Sequence, residues 1–329
     1  MSATVAPEKI LRELADLWVS LGKEGQAEHG AGVLRACSMT LLVLAEESDD
    51  VMALGETIAA LMPEHPARAI VVRLRGAGER ALTERVYSQC WMPFGQRRQI
   101  CCEQIELTAS DAALADLASV VLPLAVADLP VMIWCRASRL VEMAEFHEIA
   151  AMAHKVVLDS ATLPQGVDAL RRLSSAVREG VLLGDLSWTR LTRWREMLAQ
   201  VFENREYLAL LPRIAKVRVE CGTGFEVSAR YIGAWVTDSL ADAGVKSELE
   251  ITWTGRPVSL GVELAGEGVH VEMGRREERL VITVNQLSNC MNLPRPSDYL
   301  LMREELGIVR RDPVFERTLA SAARLASPA

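Results

Sequence analysis

The chain is poor in the side chains from which catalytic and metal centres are built. Only five histidines occur in 329 residues, at positions 29, 65, 147, 154 and 270, and none stands in a metal-ligand spacing such as H-x-x-x-H. No G-x-S-x-G elbow, C-x-x-C pair or P-loop is present, so the usual signatures of hydrolase, zinc and nucleoside-triphosphate sites are missing. Uninterrupted apolar runs are missing as well. The longest, residues 117–135, is broken by Pro123, Asp128 and Pro130 and reads as helix, turn and strand rather than a membrane span. Glu8, Lys9, Arg12, Glu13 and Asp16 interrupt the opening segment where a signal peptide would be apolar, which predicts a cytoplasmic protein. There is no basic excess: 36 Lys and Arg against 44 Asp and Glu give a net charge of −8, with no general attraction to nucleic acid or anionic membrane.

Seven cysteines, at 37, 90, 101, 102, 135, 221 and 290, include one vicinal pair. Cys101 and Cys102 would point to opposite faces of a strand, which disfavours a bond between them. Most of the others lie in apolar runs and read as reduced, buried residues. Neither a metal site nor a redox switch is signalled.

What is present is core. Half the residues are hydrophobic and 24% are charged, the profile of a globular protein. The length exceeds that at which single cores stop growing, so two domains are expected. Residues 1–208 read as an α/β domain with a helix-covered, mainly parallel sheet. Residues 209–329 read as a smaller α+β domain with an antiparallel meander and a helical C-terminal tail.

The first part alternates strand and helix. An opening helix carries Ile10, Leu14, Leu17 and Leu21; buried strands follow at 37–45, 69–74, 131–135 and 155–158, with helices near 51–62, 110–124 and 140–152. That order argues for parallel β-α-β units. Gly76-Ala77-Gly78-Glu79-Arg80-Ala81 mimics the dinucleotide fingerprint G-x-G-x-x-A, but β-like residues follow where a helix is required. A hairpin turn is the better reading, with a β-like run at 83–90 leading through Trp91 to Gly95 into another at 99–107. Past Asn204 a strand at 214–221 and a helix at 227–241 precede four strands near 249–253, 258–264, 269–273 and 280–284, which read as a meander. Cys221-Gly222-Thr223-Gly224-Phe225-Glu226 opens the helix but lacks both a third glycine and a basic residue, a weak case for phosphate. Short helices are expected near 298–306 and 313–325, in a tail suited to wrapping the core or a partner.

The stretch that organises the chain is Gly184-Asp185-Leu186-Ser187-Trp188-Thr189-Arg190-Leu191-Thr192-Arg193-Trp194-Arg195-Glu196. Asp185, Ser187 or Thr189 can cap a helix, along which Leu191, Trp194, Leu198 and Val201 form an apolar stripe while Arg190, Arg193 and Arg195 take other faces. This segment resembles the "DLNWTRL-x-PWRELLAQ" stretch of the OpcA family, the glucose-6-phosphate dehydrogenase assembly proteins. Three further blocks agree in order: His65-Pro66-Ala67-Arg68 with the family's "CP-x-R", Ile100-Cys101-Cys102-Glu103 with "ICCE", and Pro123-Leu124 followed by Asp128-Leu129-Pro130-Val131 with "PL…DLPV". His65, Cys135 and Arg193 stand where the family usually has Cys, Trp and Pro.

The resemblance implies a non-catalytic assembly and allosteric activating partner of glucose-6-phosphate dehydrogenase in the oxidative pentose phosphate pathway, without a cofactor. Because Trp and Arg dominate interface hot spots, Trp188, Arg190, Trp194 and Arg195 are the expected contact or interface-supporting residues. The alternative is a sugar-phosphate-binding enzyme such as a lactonase-like hydrolase, using Asp159, Ser160, Arg136 and Arg139 near the C-terminal edge of the sheet.

Overall fold

The computed structural model describes residues 6–29, 33–91, 100–257 and 260–325, and the chain forms two compact units, Met1–Leu158 and Asp159–Ala329. The first unit therefore ends well before the boundary expected after residue 208. The reason is that residues 159–208 share their core with the elements of the C-terminal half: Trp188 packs edge-on to Tyr231, with ring centroids 5.9 Å apart, and against Phe315 at 6.0 Å.

In the first unit the elements are α1 (Pro7–His29), β1 (Leu34–Arg35), β2 (Met39–Glu46), α2 (Val51–Leu61), β3 (Ala67–Leu74), β4 (Leu82–Trp91), β5 (Ile100–Ala109), α3 (Leu114–Leu124), β6 (Val131–Cys135), α4 (Ala144–Ala150) and β7 (Lys155–Leu158). Strand order is β1-β5-β3-β2-β6-β7, with all these pairs parallel, and β4 pairs antiparallel with β5. Every residue of β3, β6 and β7 is buried, as is nearly all of β2. Continuous apolar runs without alternation are what strands covered on both faces require.

The chain runs from β2 outward to β3 and β5, then returns to place β6 on the other side of β2. The order therefore reverses between β2 and β6, the switch point at which doubly wound sheets open a crevice. After Gly76, with φ +78°, a strand follows as expected, but not as a hairpin with β3. β4 lies on the far side of β5, with Cys90 opposite Cys101. That register brings the two sulfurs into a disulfide, which corrects the expectation of reduced, unpaired thiols; the turn expected at 92–95 lies outside the described residues.

The second unit contains α5 (Gly166–Arg178), β8 (Leu183–Asp185), α6 (Leu186–Thr189), α7 (Thr192–Val201), α8 (Arg205–Leu210), β9 (Ile214–Thr223), α9 (Glu226–Asp242), β10 (Glu248–Pro257), β11 (Leu260–Gly266), β12 (Val269–Arg276), β13 (Arg279–Val284), β14 (Leu287–Asn292), α10 (Asp298–Gly307) and α11 (Pro313–Leu325). Its sheet has the order β10-β9-β11-β12-β13-β14. The meander therefore starts at β11 and not at β10, because α9 carries the chain over to lay β10 parallel to β9, while β11 pairs antiparallel with the other side of β9. Gly266 closes that pair. A Cβ there would sit 2.0 Å from the carbonyl oxygen of Arg213, so only glycine fits. The tail is not loose: α11 packs on α5 and α9, with Phe315, Leu319 and Ala322 buried. The fold class is α/β with a mainly parallel, helix-covered sheet, followed by a mixed sheet rich in antiparallel pairs.

Candidate functional site

The first polar cluster lies at the switch point of the parallel sheet. The end of β2 and the loop from it into α2 carry Glu46, Glu47, Asp49 and Asp50 and no glycine. Asp50 caps α2, its Oδ1 accepting from the N–H groups of Met52 at 2.9 Å and Ala53 at 3.2 Å. From the loop after β6, Arg136 donates to Asp49 at 2.7 Å, and Arg139 bridges Glu46 at 2.9 Å and Asp111 at 2.7 Å. Arg73, rising from β3, donates to the carbonyl oxygen of Asp49 at 3.0 Å. A dinucleotide pyrophosphate would need free N–H groups at this helix start and glycines that let the backbone approach. Here a fixed carboxylate holds those groups and the arginines already face carboxylates, so these residues do not fit such a cofactor. The Arg136 and Arg139 of the hydrolase alternative lie within this network, where the buried Nη2 of Arg139 has no hydrogen-bond partner among the described residues.

A second cluster joins three of the sequence blocks. Arg68 of β3 is 7% exposed; its Nε donates to Glu103 of β5 at 2.5 Å and its Nη1 to the carbonyl oxygen of Leu124 at 2.7 Å. Glu103 also accepts from the indole N–H of Trp18 at 2.6 Å and pairs with Arg35 at 2.6 Å. The Asp128 to Val131 block adds a tie to β2, since Thr40 donates its N–H to the carbonyl of Pro130 at 2.9 Å. Such a buried ion pair is stable only while its lone pairs and protons are all taken, which explains why these particular residue types occur together.

The third cluster is built on Asp185 and belongs to the fourth block. Asp185 has no exposed surface. Its Oδ1 accepts from the N–H groups of Ser160 at 3.0 Å and Ser187 at 2.9 Å, and its Oδ2 from the Tyr231 hydroxyl at 2.6 Å. Burial, with the nearby charge of Asp159 second, pushes its carboxyl up to about 6. Burial would also raise Asp159, but the bond and charge of Arg190, 2.6 Å away, hold it below the usual carboxylate range. Ser187 links the two acids by donating its hydroxyl to Asp159 at 2.6 Å. Burial likewise drives the Tyr231 hydroxyl well above 10, with Asp185 adding to the effect.

The single helix expected after Asp185 is broken at Arg190 and Leu191, giving α6 and α7. Asp185 caps α6, as anticipated. The stripe Trp194, Leu198 and Val201 is buried on α7, and Trp188 is only 3% exposed. Arg195 is not on a solvated face: its guanidinium stacks 3.4 Å from the Trp188 ring centroid, and burial lowers its pKa to about 10. Arg190 keeps a third of its side chain exposed, at 34%. Asp159 and Ser160 of the hydrolase alternative lie in the same hub, Asp159 as cap and ion-pair partner and Ser160 as a fully buried residue whose backbone N–H donates to Asp185. The weak phosphate case at Gly222–Gly224 also closes, because Glu226 accepts the N–H of Gly224 at 3.1 Å. Among the described residues no group of three or more His, Cys, Asp or Glu is placed to hold a metal ion, and no helix is long and apolar enough to cross a membrane.

Residues 58–175 match the family model described as the glucose-6-phosphate dehydrogenase subunit N-terminal domain, and residues 182–319 match its C-terminal counterpart. The chain belongs to the OpcA family. Among curated relatives of that family, the "putative OxPP cycle protein OpcA" of Nostoc punctiforme is 30% identical over 141 residues, covering 43% of this chain and 30% of the relative. The protein of the same description from Synechocystis is 26% identical over 190 residues, covering 57% and 39%. The matches thus span 30% and 39% of those relatives' own length. Among solved structures, biliverdin reductase from Synechocystis, in complex with biliverdin and NADP+, superposes with a TM-score of 0.45 at 12% identity, over 87% of this chain and 98% of that one. The OpcA blocks of this chain are therefore its internal hubs: Arg68 with Glu103 and Leu124 in one unit, Asp185 with Tyr231 and the Trp188 cluster in the other.

Proposed function

We propose that this OpcA-family chain is a non-catalytic partner of glucose-6-phosphate dehydrogenase, which it assembles with and activates in the cytoplasmic oxidative pentose phosphate pathway. The observation that carries the reading is where the family blocks lie. Arg68, Glu103, Asp185, Trp188 and Arg195 of these blocks hold each unit together, and the arginines at the switch point of the first sheet face the chain's own carboxylates. What is kept is a shape, which suits a binding partner. Activation then requires tighter binding to the active state of the dehydrogenase than to the inactive one. Of the four residues expected at the contact, Arg190 is the one that keeps part of its guanidinium side chain at the surface, while paired with Asp159; Trp188, Trp194 and Arg195 support α6 and α7 from within.

The test is an activity series. The purified chain alone is assayed on glucose 6-phosphate and on 6-phosphogluconolactone, then titrated into the dehydrogenase of the same organism. No turnover alone, with a saturable rise in dehydrogenase activity, is the expected outcome. Turnover of either substrate by the chain alone, or a dehydrogenase indifferent to it, would overturn the proposal.

A further inference from the structure

The sheet of the second unit has two edges of different chemistry. β10 carries Glu248 and Glu250, and its register with β9 is irregular between Trp253 and Pro257; charge and irregularity are devices that keep an edge from pairing. β14 has none of them. Leu287-Ser288-Asn289-Cys290-Met291-Asn292 contains no charge and no proline, pairs in unbroken register with β13 and with no other strand among the described residues, and is exposed at five of its six residues. Leu287 sits opposite the buried Val284, yet 71% of it is exposed.

The backbone geometry of this edge is set by the turn before it. Asn285, with φ +54°, and Gln286 form a two-residue connection between Val284 and Leu287, so the closing pair exchanges its hydrogen bonds. Alternation then directs the N–H and C=O groups of Leu287, Asn289 and Met291 to β13, and those of Ser288, Cys290 and Asn292 to the free edge. Leu287, Asn289 and Met291 share the face on which Val284, Ile282 and Leu280 of β13 are buried.

We propose that β14 pairs antiparallel with β14 of a second copy of this chain, about a twofold axis through Asn289, making one continuous sheet. In that register Leu287 of each copy faces Met291 of the other, Asn289 faces Asn289, and Ser288 faces Cys290 in the pairs that exchange hydrogen bonds. The apolar pairs fall at non-hydrogen-bonded positions, where side chains are closest. A shift by one residue would set each copy's apolar face against the other's polar face, and moving the axis to Cys290 would set Asn289 against Met291. The edge is thus self-complementary, as an isologous contact requires. With about four backbone hydrogen bonds the interface belongs at the small end of specific contacts, so the dimer depends on protein concentration.

Sedimentation velocity of the full chain in reducing buffer, over a concentration series, tests this. Wild type is expected to shift from monomer to dimer, and Asn289→Lys, which sets two ammonium groups face to face, to weaken the dimer at least about tenfold. Asn289 is exposed, and a melting curve like that of wild type shows the variant to be folded. In a Cys290→Ser background, Asn289→Cys is expected to form a covalent dimer on oxidation, because non-hydrogen-bonded pairs bring Cα atoms to about 4.5 Å. A wild type that is monomeric at every concentration overturns the proposal, as does a dimer that neither responds to Asn289→Lys nor cross-links through position 289.

Discussion

Glu103 offers the sharpest test of the claim that the family blocks are structural hubs. Its carboxylate is 3% exposed and faces Arg68, Arg35 and Trp18. In Glu103→Ala, Arg35 and Trp18 lie where water reaches them, but Arg68 is left as a buried cation whose remaining hydrogen-bond partner among the described residues is the carbonyl oxygen of Leu124. Removing one partner of a buried pair costs about 3–5 kcal/mol, because the remaining charge has lost its compensation. Against a typical total of about 5–15 kcal/mol this is a large share, and for a unit of this size it lowers the melting temperature by roughly 10 °C. Replacing both members by apolar residues, Arg68→Met with Glu103→Leu, removes the orphaned charge, so the double variant is expected to be more stable than Glu103→Ala. Urea unfolding followed by far-ultraviolet circular dichroism reads all three. A Glu103→Ala loss below about 1 kcal/mol, or a double variant no better than the single, would refute the reasoning.

Three further outcomes are expected of the clusters. Because the Asp185 carboxyl titrates at about 6 in the fold against 3.8 unfolded, the folded state holds the extra proton between those values; stability should fall as pH rises through that window, by roughly 3 kcal/mol in total. Asp185→Asn should flatten that slope in melts from pH 4 to 7, whereas the lowered Asp159 contributes its loss only below its ordinary value; an unchanged slope would remove Asp185 as the cause. Thiol titration of denatured, unreduced protein should find five free cysteines and seven after reduction; seven at the outset would exclude the Cys90–Cys101 bond. Trp194→Ala should cost about 3–5 kcal/mol as a cavity, and Arg195→Ala about 1–2 kcal/mol through lost stacking on Trp188 rather than nothing; a neutral Arg195→Ala in the same melts would return that side chain to solvent.

The parallel sheet is legible because full burial on both faces writes itself as runs such as Leu41 to Ala45 and Ile70 to Val72. Position within a sheet is not written locally. β10 alternates like a meander strand, and only the crossover made by α9 puts it beside β9; Cys90 and Cys101 are eleven residues apart, and only the β4–β5 register brings them together. β14 escapes notice because Leu287 and Met291 are too few to show a period. The blocks that carry the family are visible as residue types, but Arg68 and Glu103 lie 35 positions apart, so their pairing appears only once β3 and β5 are neighbours. The arginines of the organising stretch look solvated by spacing alone. It is the helix break at Arg190 and Leu191 that turns Arg195 onto Trp188 and Arg190 onto Asp159.

The central claim is association with glucose-6-phosphate dehydrogenase without catalysis by the chain itself. Mixing the two purified proteins in sedimentation velocity, with NADPH production followed on the same mixture, tests it most directly. The account predicts a boundary heavier than either protein alone and faster NADPH production, with none from the chain by itself. Two boundaries that sediment independently, at an unchanged dehydrogenase rate, would contradict it.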